Sequence, residues 1–316
     1  MSESEPHKDL LQIEDLNKDE IKSILAAAQP FKELFKRSVK KVPTLQGKTV
    51  LSLFYEPSTR TSSSFEVAAN RLSADFTSLA VASSSVVKGE SVLDTVDTLG
   101  AMRADYIVIR HKKAGIPNLV AAHTDASVIN AGDGFHAHPT QALLDASTLY
   151  DVFGELDFSG KKILIVGDIL HSRVARSTSR ILTMLGAEVR VLGPGTLVPP
   201  GRPDKMKKFK DYEEALDWKP DVIYLLRVQF ERQGEQFFPS SGEYHSVYGL
   251  NEDRFNRIRD EGVWVMHPGP VNRGVELADS VTTYDRCLIN RQVENGIATR
   301  MAVLYWLKPQ TFQQDG

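Results

Sequence analysis

Apolar runs of strand length recur along this chain, and between them lie stretches with the period of an amphipathic helix. The runs are TVLSLFY (49–55), FTSLAV (76–81), DYIVIR (105–110), SVIN (127–130), KKILIVG (161–167), AEVRVLG (187–193), DVIYLLR (221–227) and VWVMH (263–267). Helical periodicity falls at Ser91–Met102, Pro117–His123, Pro139–Val152 and Val174–Leu185. Continuous β-branched strands alternating with helices point to parallel sheets buried on both sides. The expected fold class is therefore α/β, each sheet mostly parallel and covered by helices on both faces. At 316 residues the chain is too long for one compact core. The runs divide near DVFGELDFSG, which predicts two domains joined by the long helix opening at His138. A last helix, about Val293 to Leu307, has no strand after it and is expected to return to the first domain. The expected division is residues 1–150 with 291–316, and residues 151–290.

Composition excludes several classes. With 41% apolar and 25% charged residues the chain reads as an ordinary soluble globular protein. A net charge of −3 gives no pull toward nucleic acid, and DKMKKFK (204–210) reads as a solvated surface loop. No apolar run approaches the roughly 18 residues of a spanning helix, so no membrane association is expected. MSESEPHKDLLQIEDL lacks the basic and apolar regions of a secretion signal. The one cysteine, Cys287, cannot form an internal disulfide. A reducing, cytoplasmic setting is the expectation.

In open parallel sheets, ligands collect at the carboxyl ends of the strands. The residues there are unusually cationic and hydroxyl-rich: EPSTRT, SSSVVKGES, RHKKAG, AGDGFHAHPTQ, DILHSR, RVQFER and HPGPVNRG. An anionic ligand is the simplest reading. In EPSTRTSSSFEVAANRL, Phe65, Ala68, Ala69 and Leu72 mark the buried face of a helix. Ser63 and Glu66 have the spacing of a capping box. Capping gives no task to Arg60, whereas a phosphate seat does: N–H groups at a helix start, hydroxyl donors and a forked, permanent cation all favour an anion. Arg110, at the end of a neighbouring strand, would supply a second guanidinium.

His136 and His138 have a spacing that invites a metal, yet no third ligand lies nearby in sequence, and no metal is expected. Pro139 suits the first position of a helix, which makes His138 its cap. There a neutral imidazole could donate to a carbonyl oxygen. GDILHSRVAR resembles a dinucleotide-binding turn only in part, since Asp168 stands where a glycine is required. No cofactor is expected.

Taken in order, STRT, SSSVVKGES, RH, HPTQALLD, RVQ and HPGPVNRG resemble the catalytic chain of the aspartate carbamoyltransferase family over nearly the whole sequence. STRT and HPTQ alone would fit the ornithine branch too. Lys88 in KGES, and HPGP in place of that branch's HCLP, select the aspartate branch. The resemblance implies transfer of the carbamoyl group from carbamoyl phosphate to L-aspartate, in pyrimidine biosynthesis. It implies that Ser58, Thr59, Arg60, Thr61 and Arg110 hold the phosphate and that His138 polarises the carbonyl. Gln141, with the backbone of Gly269 and Pro270, would bind the carbamoyl nitrogen. Arg173, Arg227 and Gln229 would hold aspartate. Lys88, and with it Ser84, would arrive from an adjacent subunit, so that a homotrimer shares its sites. A regulatory or dihydroorotase partner chain is a further possibility in such a family. Where other members often carry a basic residue after STRT, this chain has Ser62. Two alternatives stay open at this stage: a carbamoyltransferase for another amine acceptor, and a two-lobed anion-binding protein without turnover.

Overall fold

The computed structural model describes residues 7–79, 92–198, 206–228, 240–307 and 309. Its chain divides into two compact units, residues 1–147 with 294–316, and residues 148–293.

The first unit is built on four parallel strands, β1 (Thr49–Phe54), β2 (Asp75–Leu79), β3 (Tyr106–His111) and β4 (Ser127–Asp133), in the order β2-β1-β3-β4. Helices α1 (Lys18–Leu34), α2 (Thr59–Arg71), α3 (Val92–Gly100), α4 (Ile116–Ala121) and α5 (Pro139–Phe153) follow the chain in that sequence. β1, β3 and β4 are buried along almost their whole length, which explains their continuous apolar runs, whereas the edge strand β2 is partly exposed along its length. Leu51, Leu53, Ile107, Ile109 and Val128 pack with Val96 and Val120 from α3 and α4. Phe65, Ala68, Ala69 and Leu72 are all fully buried, as their helical spacing anticipates.

The second unit holds five parallel strands, β5 (Lys162–Val166), β6 (Glu188–Leu192), β7 (Lys207–Lys208), β8 (Val222–Leu225) and β9 (Trp264–Met266), ordered β7-β6-β5-β8-β9. Its helices are α6 (Arg173–Met184), α7 (Tyr212–Asp217), α8 (Ser241–Tyr248) and α9 (Glu252–Glu261). The last helix, α10 (Ile289–Trp306), starts earlier than its apolar pattern suggested. From Glu294 onward it belongs to the first unit, where Met301, Ala302, Val303 and Leu304 are fully buried.

Two local expectations are corrected. Helix α2 begins at Thr59 with Ser58 as its N-cap, so Ser63 lies in the second turn and Ser63–Glu66 is no capping box. The buried Phe65 stripe anchors the helix, and its first turn extends back through the hydroxyl-rich segment. The expected surface loop at 204–210 also differs: Lys207 and Lys208 pair in parallel with β6, and Phe209 is buried. Alternation around the lysines hides this edge strand, because both its residues are exposed.

Candidate active site

The strand orders locate the sites. In the first sheet, β1 has β2 on one side and β3 on the other, so the crossover direction reverses between β1 and β3. In the second, the reversal lies between β5 and β8. Such switch points open a crevice at the strands' carboxyl ends.

At the first switch point, β1 leads into α2. Ser58 makes no side-chain cap bond, and the Ser62 N–H already donates to the Ser58 carbonyl at 3.0 Å. The N–H groups of Thr59, Arg60 and Thr61 come before the first intrahelical donor, the Ser62 N–H, and so face the helix start, the geometry that favours an anion. Arg60 is exposed, while Ser58 and Thr61 are half-buried.

Arg110 lies within β3, opposite Phe54 of β1, one residue before the strand's end. The Tyr55 N–H donates to the Arg110 carbonyl at 2.9 Å, which ties the α2 approach to this position. Its guanidinium is held from two sides: Nε is 3.3 Å from Glu56 Oε2, and Nη1 donates to the Ala131 carbonyl at 3.3 Å. That carbonyl is available because the β3–β4 register slips between Ile109–Asn130 and His111–Asp133, leaving Ala131 and Gly132 opposite Arg110. Gly132, at φ +118°, supplies the backbone the slip requires.

The loop after β4 is built around Asp133, which is fully buried. Its carboxylate accepts from Asn130 Nδ2 at 2.9 Å, Ala137 N at 3.0 Å, Gly115 N at 2.8 Å and His136 Nδ1 at 3.1 Å. Burial works to raise its pKa, but the hydrogen bonds from His136, Asn130 and Gly115 outweigh burial and hold the carboxyl below its ordinary 3.8. Because the Ala137 N–H is pinned, the next residue, His138, has a fixed position. His138 is buried and its carbonyl accepts from Gln141 N and Ala142 N, as a helix cap does. Among the described residues, no group of three or more His, Cys, Asp or Glu side chains could hold a metal ion.

Gln141, in the first turn of α5, donates from Nε2 to Asp145 Oδ1 at 3.0 Å. Arg300 of α10 lies buried against this helix's charge. Burial pushes its pKa down to about 10, and the Asp145 carboxylate works against that fall. Its Nη1 donates to Ser64 Oγ in α2 at 3.1 Å, and the guanidinium lies 5.1 Å from the Phe65 ring centre. Thus α2, α5 and α10 meet around one buried cation.

In the second unit, Arg173 is the first residue of α6, buried beyond the Ser172 cap, whose hydroxyl accepts from Ala175 N at 3.0 Å. The approach from β5 passes through Gly167, at φ +131°, where a side chain would come within 3.0 Å of Leu226 Cβ. Asp168 accepts from the His171 N–H at 3.0 Å and meets His171 Nδ1 at 3.1 Å, so its carboxylate shapes the turn. Arg227 is half-buried just past β8. A third loop, after β9, carries Gly269 and Pro270, with the Gly269 N–H donating to His267 Nδ1 at 2.8 Å.

Glu276 joins the β8 and β9 loops. Its buried carboxylate accepts from Val228 N at 2.8 Å, Asn272 N at 2.6 Å and Asn272 Nδ2 at 2.8 Å. The same Asn272 amide donates to the Val228 carbonyl at 3.0 Å.

The structure therefore gathers Ser58, Thr59, Arg60, Thr61 and Arg110 at one switch point, and Arg173 and Arg227 at the other. His138 and Gln141 stand at the start of α5. Lys88, Ser84 and Gln229 lie outside the described residues. Sequence reasoning missed Glu56, Asp133, Asp145, Glu276 and Arg300 as organising groups. An acidic residue directly before a glycine turn, as in GDG, was the one available signal, and it pointed to Asp133 alone.

Comparison with known proteins gives consistent results. Residues 8–151 match the carbamoyl-P binding domain of aspartate/ornithine carbamoyltransferases, and residues 159–307 match the Asp/Orn binding domain of the same group. The aspartate carbamoyltransferase catalytic subunit of Akkermansia muciniphila is 63% identical over 306 residues, covering 97% of this chain and 98% of its own. That of Endomicrobium trichonymphae is 54% identical, covering 96% of each. Among solved structures, the catalytic subunit of M. jannaschii aspartate transcarbamoylase superposes with a TM-score of 0.80 at 34% identity, covering 94% of this chain and 97% of that one. Trypanosoma cruzi aspartate transcarbamoylase in complex with N-(phosphonacetyl)-L-aspartic acid superposes at 0.84 with 28% identity, covering 96% of each.

Proposed function

The chain belongs to the aspartate/ornithine carbamoyltransferase family, and we infer that it is an aspartate carbamoyltransferase catalytic chain, with its site residues in the roles that follow. It transfers the carbamoyl group of carbamoyl phosphate to the α-amine of L-aspartate, giving N-carbamoyl-L-aspartate and phosphate, a step of pyrimidine biosynthesis. The first domain binds carbamoyl phosphate and the second binds aspartate.

Ser58, Thr59, Arg60 and Thr61 seat the phosphate on the open start of α2, and Arg110 adds the second guanidinium. His138, at the cap of α5, donates to the carbamoyl oxygen. Gln141 and the carbonyls of Gly269 and Pro270 receive the carbamoyl nitrogen. Arg173 and Arg227, with Gln229, take the two carboxylates of aspartate. The neutral α-amine attacks the carbamoyl carbon, and the electron pair of the C=O bond moves to oxygen, where Thr61, Arg60, Arg110 and His138 meet the developing charge. As the carbon–oxygen bond to phosphate breaks, the amine's proton passes to the departing phosphate. No protein base is required for that balance.

The observation that carries this reading is the pair of arginines at the switch point of each sheet, four cations set out for two anionic substrates. Lys88 and Ser84 are assigned to the neighbouring subunit's site, which makes the working enzyme a homotrimer in the cytoplasm, with or without a regulatory or dihydroorotase partner. No described helix is long and apolar enough to cross a membrane.

The test is a steady-state screen of acceptors with carbamoyl phosphate. Stoichiometric N-carbamoylaspartate and phosphate are expected with L-aspartate. A preference for ornithine or a neutral amino acid would overturn the acceptor assignment, and binding of phosphate analogues without turnover would overturn the enzyme assignment.

A further inference from the structure

We propose that Asp145 is a positioning residue that sets which end of the Gln141 amide faces carbamoyl phosphate, and so makes the site selective for a carbamoyl –NH2. The inference rests on the reading above that Gln141 meets the carbamoyl nitrogen.

A glutamine amide has two ends of opposite character: an oxygen that only accepts and an –NH2 that only donates. The carbamoyl –NH2 is itself a donor, so it is recognised only by the oxygen end. Nothing in the shape of a glutamine chooses between the two orientations; a neighbour must. Asp145 stands one turn along α5 and takes the Gln141 Nε2 donor at 3.0 Å. Both side chains are buried, Asp145 completely, so water cannot substitute for either partner. With Nε2 committed to the carboxylate, Oε1 is the end turned away from Asp145 and offered to a ligand. The flipped amide would set one acceptor against another in a buried site, which is costly.

The carboxylate is itself held by charge. Arg300 is buried in α10, and the Asp145 charge acts on it. Its Nη1 is fixed by the Gly296 carbonyl at 2.9 Å and Ser64 Oγ at 3.1 Å. A side chain at 296 would meet Nη1 at 2.6 Å, so glycine there lets the guanidinium fold back along its own helix. A fixed cation favours an acceptor carboxylate facing Gln141.

The experiment compares Asp145→Asn, Gln141→Ala and the double variant by calorimetric titration with carbamoyl phosphate, acetyl phosphate and inorganic phosphate. Acetyl phosphate carries a methyl where carbamoyl phosphate carries –NH2, so it reads the orientation of the amide directly. An asparagine at 145 presents either a donor or an acceptor and no longer commits Gln141. The expected result is a loss of about tenfold in carbamoyl phosphate affinity, with acetyl phosphate and inorganic phosphate unchanged. On the Gln141→Ala background the same substitution should add nothing. Equal losses for all three ligands, additive losses in the double variant, or retained discrimination would each overturn the proposal. If Gln141→Ala itself keeps the preference for carbamoyl phosphate, the Gln141 assignment fails and takes this proposal with it; loss in Gln141→Ala but not in Asp145→Asn refutes the positioning role alone. Should Asp145→Asn not fold, Asp145→Asn with Arg300→Met removes the stranded cation, and the comparison is made against Arg300→Met.

Discussion

Replacing Glu276 by glutamine should loosen both strand-end loops that its carboxylate ties together. Oε1 accepts two hydrogen bonds, from Val228 N and Asn272 Nδ2, and Oε2 accepts one, from Asn272 N. A glutamine will keep its oxygen on the side with two donors and turn its –NH2 toward the Asn272 N–H. One bond is lost and two donors are left facing each other at a site only 1% exposed. A buried, unsatisfied donor of this kind costs about 2 kcal/mol. For a protein of this size, that corresponds to a fall of about 3 °C in thermal midpoint. The functional effect follows from position: Val228 adjoins Arg227, and Asn272 follows Pro270 by two residues. The KM for aspartate should therefore rise, while the affinity for inorganic phosphate, seated in the other domain, stays level. The assay is thermal unfolding by circular dichroism together with initial rates over a range of aspartate concentrations. Glu252→Gln is the control: its carboxylate also accepts a close hydrogen bond, from Ser280 Oγ at 2.8 Å, but on the surface, and it should shift stability by less than about 0.5 kcal/mol. A Glu276→Gln enzyme with the parent's midpoint and aspartate KM would refute the argument.

Arg60→Ala should lower kcat by about 100- to 1,000-fold, the usual effect of removing one donor to a developing oxyanion, and single-turnover rates would measure it. Mixing Arg60→Ala with Lys88→Ala subunits should recover part of the activity in hybrid trimers. No recovery, with assembly verified by light scattering, would exclude a site shared between subunits. Asp133 gives a pH signature. Its folded pKa lies below the ordinary 3.8, so its charge stabilises the fold fully above about pH 5, and that contribution is lost as pH falls through the lower folded value. Urea midpoints for the parent and Asp133→Asn should differ most above pH 5 and converge as the pH falls below 4. A constant difference would show that titration of Asp133 is not responsible.

Much of the fold was legible because parallel strands buried on both faces must be continuous and apolar, and the helices between them must carry one apolar stripe. Pattern reading therefore found eight of the nine strands among the described residues. It missed β7, whose two exposed lysines carry no hydrophobic signal. It put the capping of α2 five residues too late, since S-x-x-E describes spacing and cannot tell a first turn from a second. The arginines were legible as residues at strand ends. Their supporting groups were not, because a buried charge looks like any other in sequence and its partner is remote. Arg300 reaches Ser64 across 236 positions, and Glu276 reaches Val228 across 48.

The division of the chain has a consequence for how it is made. Residues 1–147 leave the ribosome early, yet the domain they begin also needs the segment from Glu294, which supplies Arg300 and a fully buried apolar face. The whole second domain is translated in the interval, roughly seven to thirty seconds at ordinary elongation rates. Through that wait helices α2 and α5 stand without the partner that Arg300 and its neighbours will bring against Ser64 and Phe65, an apolar surface that a chaperone can hold until α10 has been synthesised.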